Sequence, residues 1–207
     1  LVVMHNIVDD YEIRKKAQEK PTVNYFNDGV FNIVSVGRLT EQKSFDKAIE
    51  AAEIMRDQNY RFQWIILGTG IEEEKLKKLI ADKKLEKHVI MHGFDTNPYS
   101  YMKRGDIYVQ TSLAEGQCTT ITEAVLLGKA VVSTEVSGVD EQLDQGKGGK
   151  IVGWSGQEIA DAIIELINDK SIIAEYEQHN ANRQLANDKE MDIFYKNIQE
   201  VLGENNE

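Results

Sequence analysis

Short apolar runs alternate along the chain with longer stretches in which apolar residues recur every three or four positions, the pattern of strands interleaved with amphipathic helices. The runs predict strands over 30–36, 62–67, 88–92, 106–110, 130–133 and 149–152. Between them the spacing predicts a helix over 44–56, with Phe45, Ala48, Ile49, Ala52 and Met55 on one face. A charged helix follows over 71–84 with Ile71, Leu76, Leu79 and Ile80 inward, then short helices over 99–103 and 120–127. Ser155-Gly-Gln-Glu158 has capping-box spacing, and Ile159, Ala162, Ile163, Leu166 and Ile167 form the stripe behind it. Helices are also predicted over 171–187 and 189–202, with a frayed tail over 203–207. The charged stretch 10–20 reads as a surface helix stopped before Pro21.

Alternation of this kind defines the fold class as α/β: a Rossmann-like parallel sheet of about six strands with helices on both faces, plus C-terminal helices. The domain reading is a linker and surface helix over 1–20, the α/β domain over 21–170 and C-terminal helices over 171–207. In open parallel sheets, ligands bind at the carboxyl ends of the strands near the switch in strand order, so the loops there are the ones to search.

Composition narrows the chemistry. The 207 residues carry 24 Lys+Arg against 35 Asp+Glu, a formal charge of −11, which argues against nonspecific binding to nucleic acid or anionic membrane. Any phosphorylated ligand must be held by a few placed cations and backbone N–H groups. Cys118 is the only cysteine, so no intrachain disulfide forms, in keeping with a reducing compartment. No apolar run approaches the roughly 20 residues of a spanning helix. The four histidines, His5, His88, His92 and His179, lack ligand spacing; no metal site is expected, and His88 and His92 read as structural. There is no Walker loop and no Gly-x-Ser-x-Gly elbow.

Four loops remain. After the first strand, Gly37 permits close backbone approach while Arg38 and Lys43 could grip a diphosphate; Ser44 is placed to cap the next helix. The bland reading of that loop is two surface cations. Leu67-Gly-Thr-Gly70 lacks the third glycine of the dinucleotide fingerprint and reads as a tight turn. After the fourth strand, Glu115, Gly116, Cys118, Thr119, Thr120 and Glu123 span a loop and a helix start, where N–H groups favour an anion and carboxylates can accept from sugar hydroxyls. Thr120-Ile-Thr-Glu123 is also a capping box; the two roles are compatible. Cys118 has no histidine nearby in sequence to activate it and reads as a small loop residue. Ser137-Gly-Val-Asp-Glu141 reads as a plain turn.

Singly these loops are modest; in order, they resemble the C-terminal domain of the group 1 (family 4) retaining glycosyltransferases, which have the two-domain GT-B fold. The matching segments are His5-Asn-Ile-Val-Asp9, Gly37-Arg-Leu-Thr-Glu-Gln-Lys43, Gly68-Thr-Gly70, Val89-Ile-Met-His-Gly93, Glu115 through Glu123, Glu123-Ala-Val-Leu-Leu-Gly-Lys-Ala-Val-Val132, Gly138-Val-Asp-Glu141 and Gly149-Lys-Ile-Val152. Glu115 and Glu123 match the family's paired glutamates, with seven residues between them. Departures are Ser44 for a frequent glycine, Gln117-Cys118 for a frequent Phe-Gly pair and Ala130 for a frequent proline.

The resemblance implies that Arg38 and Lys43 hold the donor diphosphate, Glu115 meets the donor sugar, Glu123 the ribose hydroxyls, and backbone N–H groups from Cys118 to Thr120 the phosphate or sugar, with Gly37 and Gly116 letting the ligand approach. Arg38, Lys43 and Glu115 would be the catalytic set. It implies a nucleoside-diphosphate sugar donor, UDP foremost, no further cofactor, and a sugar or lipid-linked acceptor bound through an N-terminal domain preceding this segment, in bacterial polysaccharide or glycoconjugate synthesis. It places the enzyme in the cytoplasm or at the inner face of the membrane, and predicts that this segment alone transfers little sugar. The alternatives are a GT-B nucleotide-sugar epimerase, whose acid and base are not visible here, a noncatalytic nucleotide- or partner-binding module, and a nucleotide-sugar enzyme on an ordinary Rossmann domain, which the absent glycine fingerprint disfavours.

Overall fold

A computed structural model describes residues 8–183 and Ile198. The predicted helix over 189–202, Ile198 apart, the tail 203–207 and most of the His5–Asp9 segment lie outside the described residues. Six parallel strands, β1 (Phe31–Val36), β2 (Phe62–Leu67), β3 (Val89–Gly93), β4 (Ile107–Gln110), β5 (Val131–Thr134) and β6 (Gly149–Val152), form one sheet in the order β3-β2-β1-β4-β5-β6. This is the Rossmann order, and the chain reverses direction across the sheet between β1 and β4.

Alternation along each strand feeds two cores. Phe31, Ile33, Trp64, Ile66, Ile107, Val109 and Val132 face one side, where α2 (Phe45–Asp57), α3 (Glu73–Asp82) and α7 (Gly156–Asn168) cover them. Val34, Ile65, Leu67, Tyr108 and Val131 face the other, beneath α1 (Asp10–Ala17), α4 (Tyr99–Arg104), α5 (Thr119–Leu126) and the four-residue α6 (Val139–Gln142). Strands buried on both faces read as the near-continuous apolar runs from which they were predicted. Trp64, fully buried, satisfies its indole N–H on Ser35 Oγ at 2.9 Å, and that hydroxyl donates to Val109 O at 2.6 Å, tying β2 through β1 to β4.

The flanking helices dock on this frame. Helix α1 is capped by Asp9, which accepts from Glu12 N, and buries Ile13 and Ala17 in the second core, so it is a surface helix with an anchored face. The capping box at Ser155 forms in full, and Ile159, Ala162, Ile163 and Leu166 are buried behind it, with Ile167 packed at the margin. Helix α8 (Lys170–Asn182) lays Ile172, Ile173 and Tyr176 along the first core.

Three local expectations are corrected. Ile71 is not inward but 90% exposed, because α3 starts only at Glu73: Gly70 packs so tightly under Leu39 that a Cβ would lie 2.3 Å from Leu39 O, which holds the chain in a turn. Ser44 does not cap α2 with its side chain; a 3₁₀ turn over Glu41–Lys43 leaves it in the left-handed region at φ 49°, and its hydroxyl meets Asp46 instead. The Thr120–Glu123 capping box does not form, because α5 begins at Thr119 after Cys118 and takes both residues into its body.

Candidate functional site

The loops that follow β1, β2 and β3 are laced together by their backbones. Gly37 N donates to Leu67 O, Leu39 N to Thr69 O, Gly68 N to Gly93 O and Glu72 N to Leu39 O, all at 2.8–3.0 Å. Gly68 permits this: at φ 142° its missing Cβ would stand 1.9 Å from Gly37 O. The Gly68-Thr-Gly70 segment, which reads as a mere turn in the sequence, is therefore the floor that sets the position of Gly37 and Arg38. Beside it lies a groove of about 240 Å³ lined by Val36, Gly37, Arg38, Gly68, Phe94 and Pro98 among others. Arg38 is exposed on its rim, as is the ring of Phe94.

Across the switch point, the β1 loop is stitched to the β4 loop. Leu113 N donates to Gln42 O at 2.8 Å, Gln42 Nε2 to Ala114 O at 2.7 Å and Thr111 Oγ1 to Lys43 O at 2.9 Å. These bonds bring two of the sequence-predicted residues into contact: Lys43 Nζ lies 2.6 Å from Glu115 Oε1, with only 15% and 11% of the two side chains exposed. Ser112 Oγ donates to the same carboxylate oxygen at 2.6 Å, and Gln110 Nε2 lies 3.4 Å away. A charge-assisted bond this short and this shielded is strong.

Glu123 sits in the second turn of α5, not the first, and faces α4. Its carboxylate accepts from the Tyr99 hydroxyl at 3.0 Å. Burial raises its pKa, and the Tyr99 bond only partly offsets that. Burial and the Glu123 charge in turn push Tyr99 up to about 12, which keeps the phenol a neutral donor. Thr120 does not face Glu123; its Oγ1 lies 2.8 Å from the fully buried Tyr108 hydroxyl and 3.2 Å from Cys118 Sγ. The Cys118 thiol points into the second core at 1% exposure, and burial raises its pKa, so it is an inert packing group, as its sequence context suggested. Its N–H, one of those expected to face a ligand, is turned toward Gln142 Oε1 at 3.4 Å. Gly116 opens onto free space: a Cβ there would meet nothing within 4 Å.

The segment after β5 is no plain turn. Gly138, at φ 77°, starts α6, and its Cβ direction points at Gly116 O 3.5 Å away. Gln142 at the other end of α6 reaches back to the β4 loop. Tyr99 and Gln142 are the site neighbours that the sequence did not mark, because their partners lie 24 residues away with no local spacing to reveal them. His92, at the end of β3, is held between the Tyr25 hydroxyl and Asp95, each at 3.1 Å, which fits its structural reading. Burial would raise Asp95, but the Asn97 N–H, the Thr22 hydroxyl and His92 together hold it low.

The site thus gathers, on the carboxyl edge at the switch point, one cation–carboxylate pair, a second carboxylate with a phenol donor, an exposed arginine and a helix start. Comparison with known proteins gives this arrangement a family. The chain is 33% identical over 179 residues to the amylovoran biosynthesis glycosyltransferase AmsK of Erwinia amylovora, covering 74% of the chain and 43% of AmsK. Among solved structures, Anabaena HepE in complex with UDP and glucose superposes with a TM-score of 0.70 at 26% identity, over 84% of this chain and 48% of HepE. The C-terminal domain of the group 1 family protein LpcC from Francisella tularensis superposes with a TM-score of 0.65 at 26% identity, over 72% of this chain and 82% of that domain. The chain spans half or less of the length of the curated relatives it matches. Residues 16–202 match the model of the family described as glycosyl transferases group 1, and the chain belongs to that family.

Proposed function

We propose that this chain is the donor-binding, C-terminal half of a retaining glycosyltransferase that moves a sugar from a nucleoside diphosphate to an acceptor hydroxyl in polysaccharide or glycoconjugate synthesis. The observation that carries the reading is the convergence of Lys43 and Glu115 from the loops after β1 and β4, with Glu123 on the helix that the β4 loop enters. The flat groove beside Gly37, rimmed by Arg38 and Phe94, suits the base of the nucleotide. HepE, solved with UDP and glucose, supports a uridine nucleotide as the donor's leaving group.

In this reading the bond between the anomeric carbon and the distal phosphate oxygen breaks while the acceptor oxygen bonds to the same face of the sugar. The acceptor proton passes to the departing phosphate, and because the new bond forms on the face the phosphate leaves, configuration is retained. Negative charge grows on that phosphate, and Arg38, Lys43 and the start of α5 stabilise it. Removing one such donor commonly costs roughly 3 kcal/mol of transition-state stabilisation. Glu115 orients sugar hydroxyls, and Glu123, steadied by Tyr99, takes the ribose diol. The acceptor would be held by a second domain, in keeping with relatives of which this chain spans half or less, and the enzyme would work in the cytoplasm or against the inner membrane face.

The test is calorimetric titration of the chain with UDP, GDP and ADP, with Arg38→Ala and Glu123→Ala as controls. Binding of one nucleotide, lost in both variants, supports the reading and names the base. Tight binding that survives both substitutions overturns the site.

A further inference from the structure

We propose that Gln142 is a positioning residue for the donor site: its side-chain amide fixes the peptide of Cys118 and thereby the entry into α5. This rests on the donor-site reading for what is positioned, though not for the clamp itself. Gln142 is 8% exposed and uses its whole amide on the β4 loop and α5. Its Nε2 donates to Cys118 O at 2.7 Å and to Thr122 Oγ1 at 2.8 Å, and its Oε1 faces Cys118 N at 3.4 Å. Both polar groups of one peptide residue are thus held by one side chain.

That residue is a pivotal one. Cys118 O also accepts from Ile121 N at 3.1 Å and Thr122 N at 3.3 Å, the first bonds of α5, and Cys118 lies three positions after Glu115. The other end of α6 meets the same loop, with Gly138 against Gly116 O. Gln142's own carbonyl accepts from the Arg183 guanidinium at the end of α8, so the loop is tied through α6 to the rear of the domain. Val139 and Leu143, the neighbours of Gln142 in this core, are apolar and fully packed. Among them a buried amide carries a desolvation cost that an apolar side chain would not. The cost is offset because the amide satisfies the Cys118 peptide, and the return is a fixed direction for the first turn of α5 and for the loop bearing Glu115 and Gly116.

The chain's sole cysteine supplies a reporter that needs no nucleotide. Cys118 is 1% exposed, so its reaction with Ellman's reagent measures opening of this loop. Gln142→Met keeps the volume and removes the hydrogen bonds. It is expected to speed thiol reaction about tenfold and to weaken UDP binding about tenfold, the size of effect that follows loss of a buried hydrogen-bond pair. Thr122→Val, which leaves the Cys118 clamp in place, is expected to change each less than about twofold on the same reasoning. An unchanged thiol rate in Gln142→Met, or a faster one with unchanged affinity, overturns the proposal. So does fast hydrogen exchange at the Cys118 amide of the unsubstituted protein, a measurement that holds even if the variant fails to fold. Unsubstituted protein that binds none of UDP, GDP and ADP overturns the donor reading, while the thiol rate still decides the clamp.

Discussion

Replacing Lys43 with methionine removes the cation from the Lys43–Glu115 pair and keeps most of the aliphatic stem. The 2.6 Å pair is nearly closed to solvent, and breaking a fully buried pair typically costs 3–5 kcal/mol because a charge is left without its partner. Here Glu115 retains the Ser112 hydroxyl at 2.6 Å, and 11% of its side chain stays wet, so the expected loss is about 2 kcal/mol. For a chain of this length that corresponds to a Tm fall of roughly 4–8 °C. Urea unfolding followed by tryptophan fluorescence measures it, and Glu115→Gln should lose a comparable amount by leaving Lys43 unpaired. The double variant should recover part of both, a coupling of at least about 1 kcal/mol. Single losses that simply add in the double variant, or a Lys43→Met protein as stable as the original, would refute the buried pair as a stabilising link between the β1 and β4 loops.

Three further outcomes follow from local geometry. Ser44→Gly should change stability by less than about 1 kcal/mol in urea unfolding, because relief of the φ 49° strain is offset by loss of a part-buried hydrogen bond to Asp46. Gly68→Ala should cost more than about 3 kcal/mol, since its methyl would meet Gly37 O at 1.9 Å, whereas Gly93→Ala, at φ 87° with nothing within 4 Å, should cost only about 1 kcal/mol; equal costs would refute the lacing of the three loops. Burial raises the folded pKa of Glu123, so its contribution to stability is fully present below the ordinary carboxylate range and is lost as pH rises through the raised value. Glu123→Gln should therefore gain stability relative to the original protein as pH rises out of the ordinary carboxylate range, while losing nucleotide binding; a pH-independent difference would contradict the buried environment.

Most of the frame was legible because the central parallel strands, buried on both faces, leave apolar runs at regular intervals between amphipathic helical stretches. Strands β2 and β6 match their predicted bounds, and the ends of the others shift by one residue at most. The misses share a cause: a tertiary contact overrode a local cue. Ser44 has the composition of an N-cap, but the 3₁₀ turn before it delivers the chain in a left-handed conformation, which is the physical reason a glycine is frequent there in the family it resembles. Ile71 continues the helical period of α3 in sequence, yet the packing of Gly70 under Leu39 forbids the helix from starting there. Thr120 and Glu123 carry capping-box spacing two residues too late, since the N-cap is Cys118. Order and spacing singled out Arg38, Lys43, Glu115 and Glu123 as candidates, and the fold brings Lys43 and Glu115 into contact; the neighbours that hold Glu123 and the β4 loop were not legible. Tyr99 and Gln142 act across 24 residues, and α6, four residues long, is too short to leave a period.

The central claim is that a nucleoside diphosphate binds on the carboxyl edge of the sheet at the β1–β4 switch. Titrating isotope-labelled protein with UDP and following backbone amide resonances tests it most directly. Saturable shifts are expected in residues 37–44, 93–98 and 113–123, and none in Arg38→Ala. Shifts centred instead on α7 and α8, or spread evenly over the sheet, would contradict it.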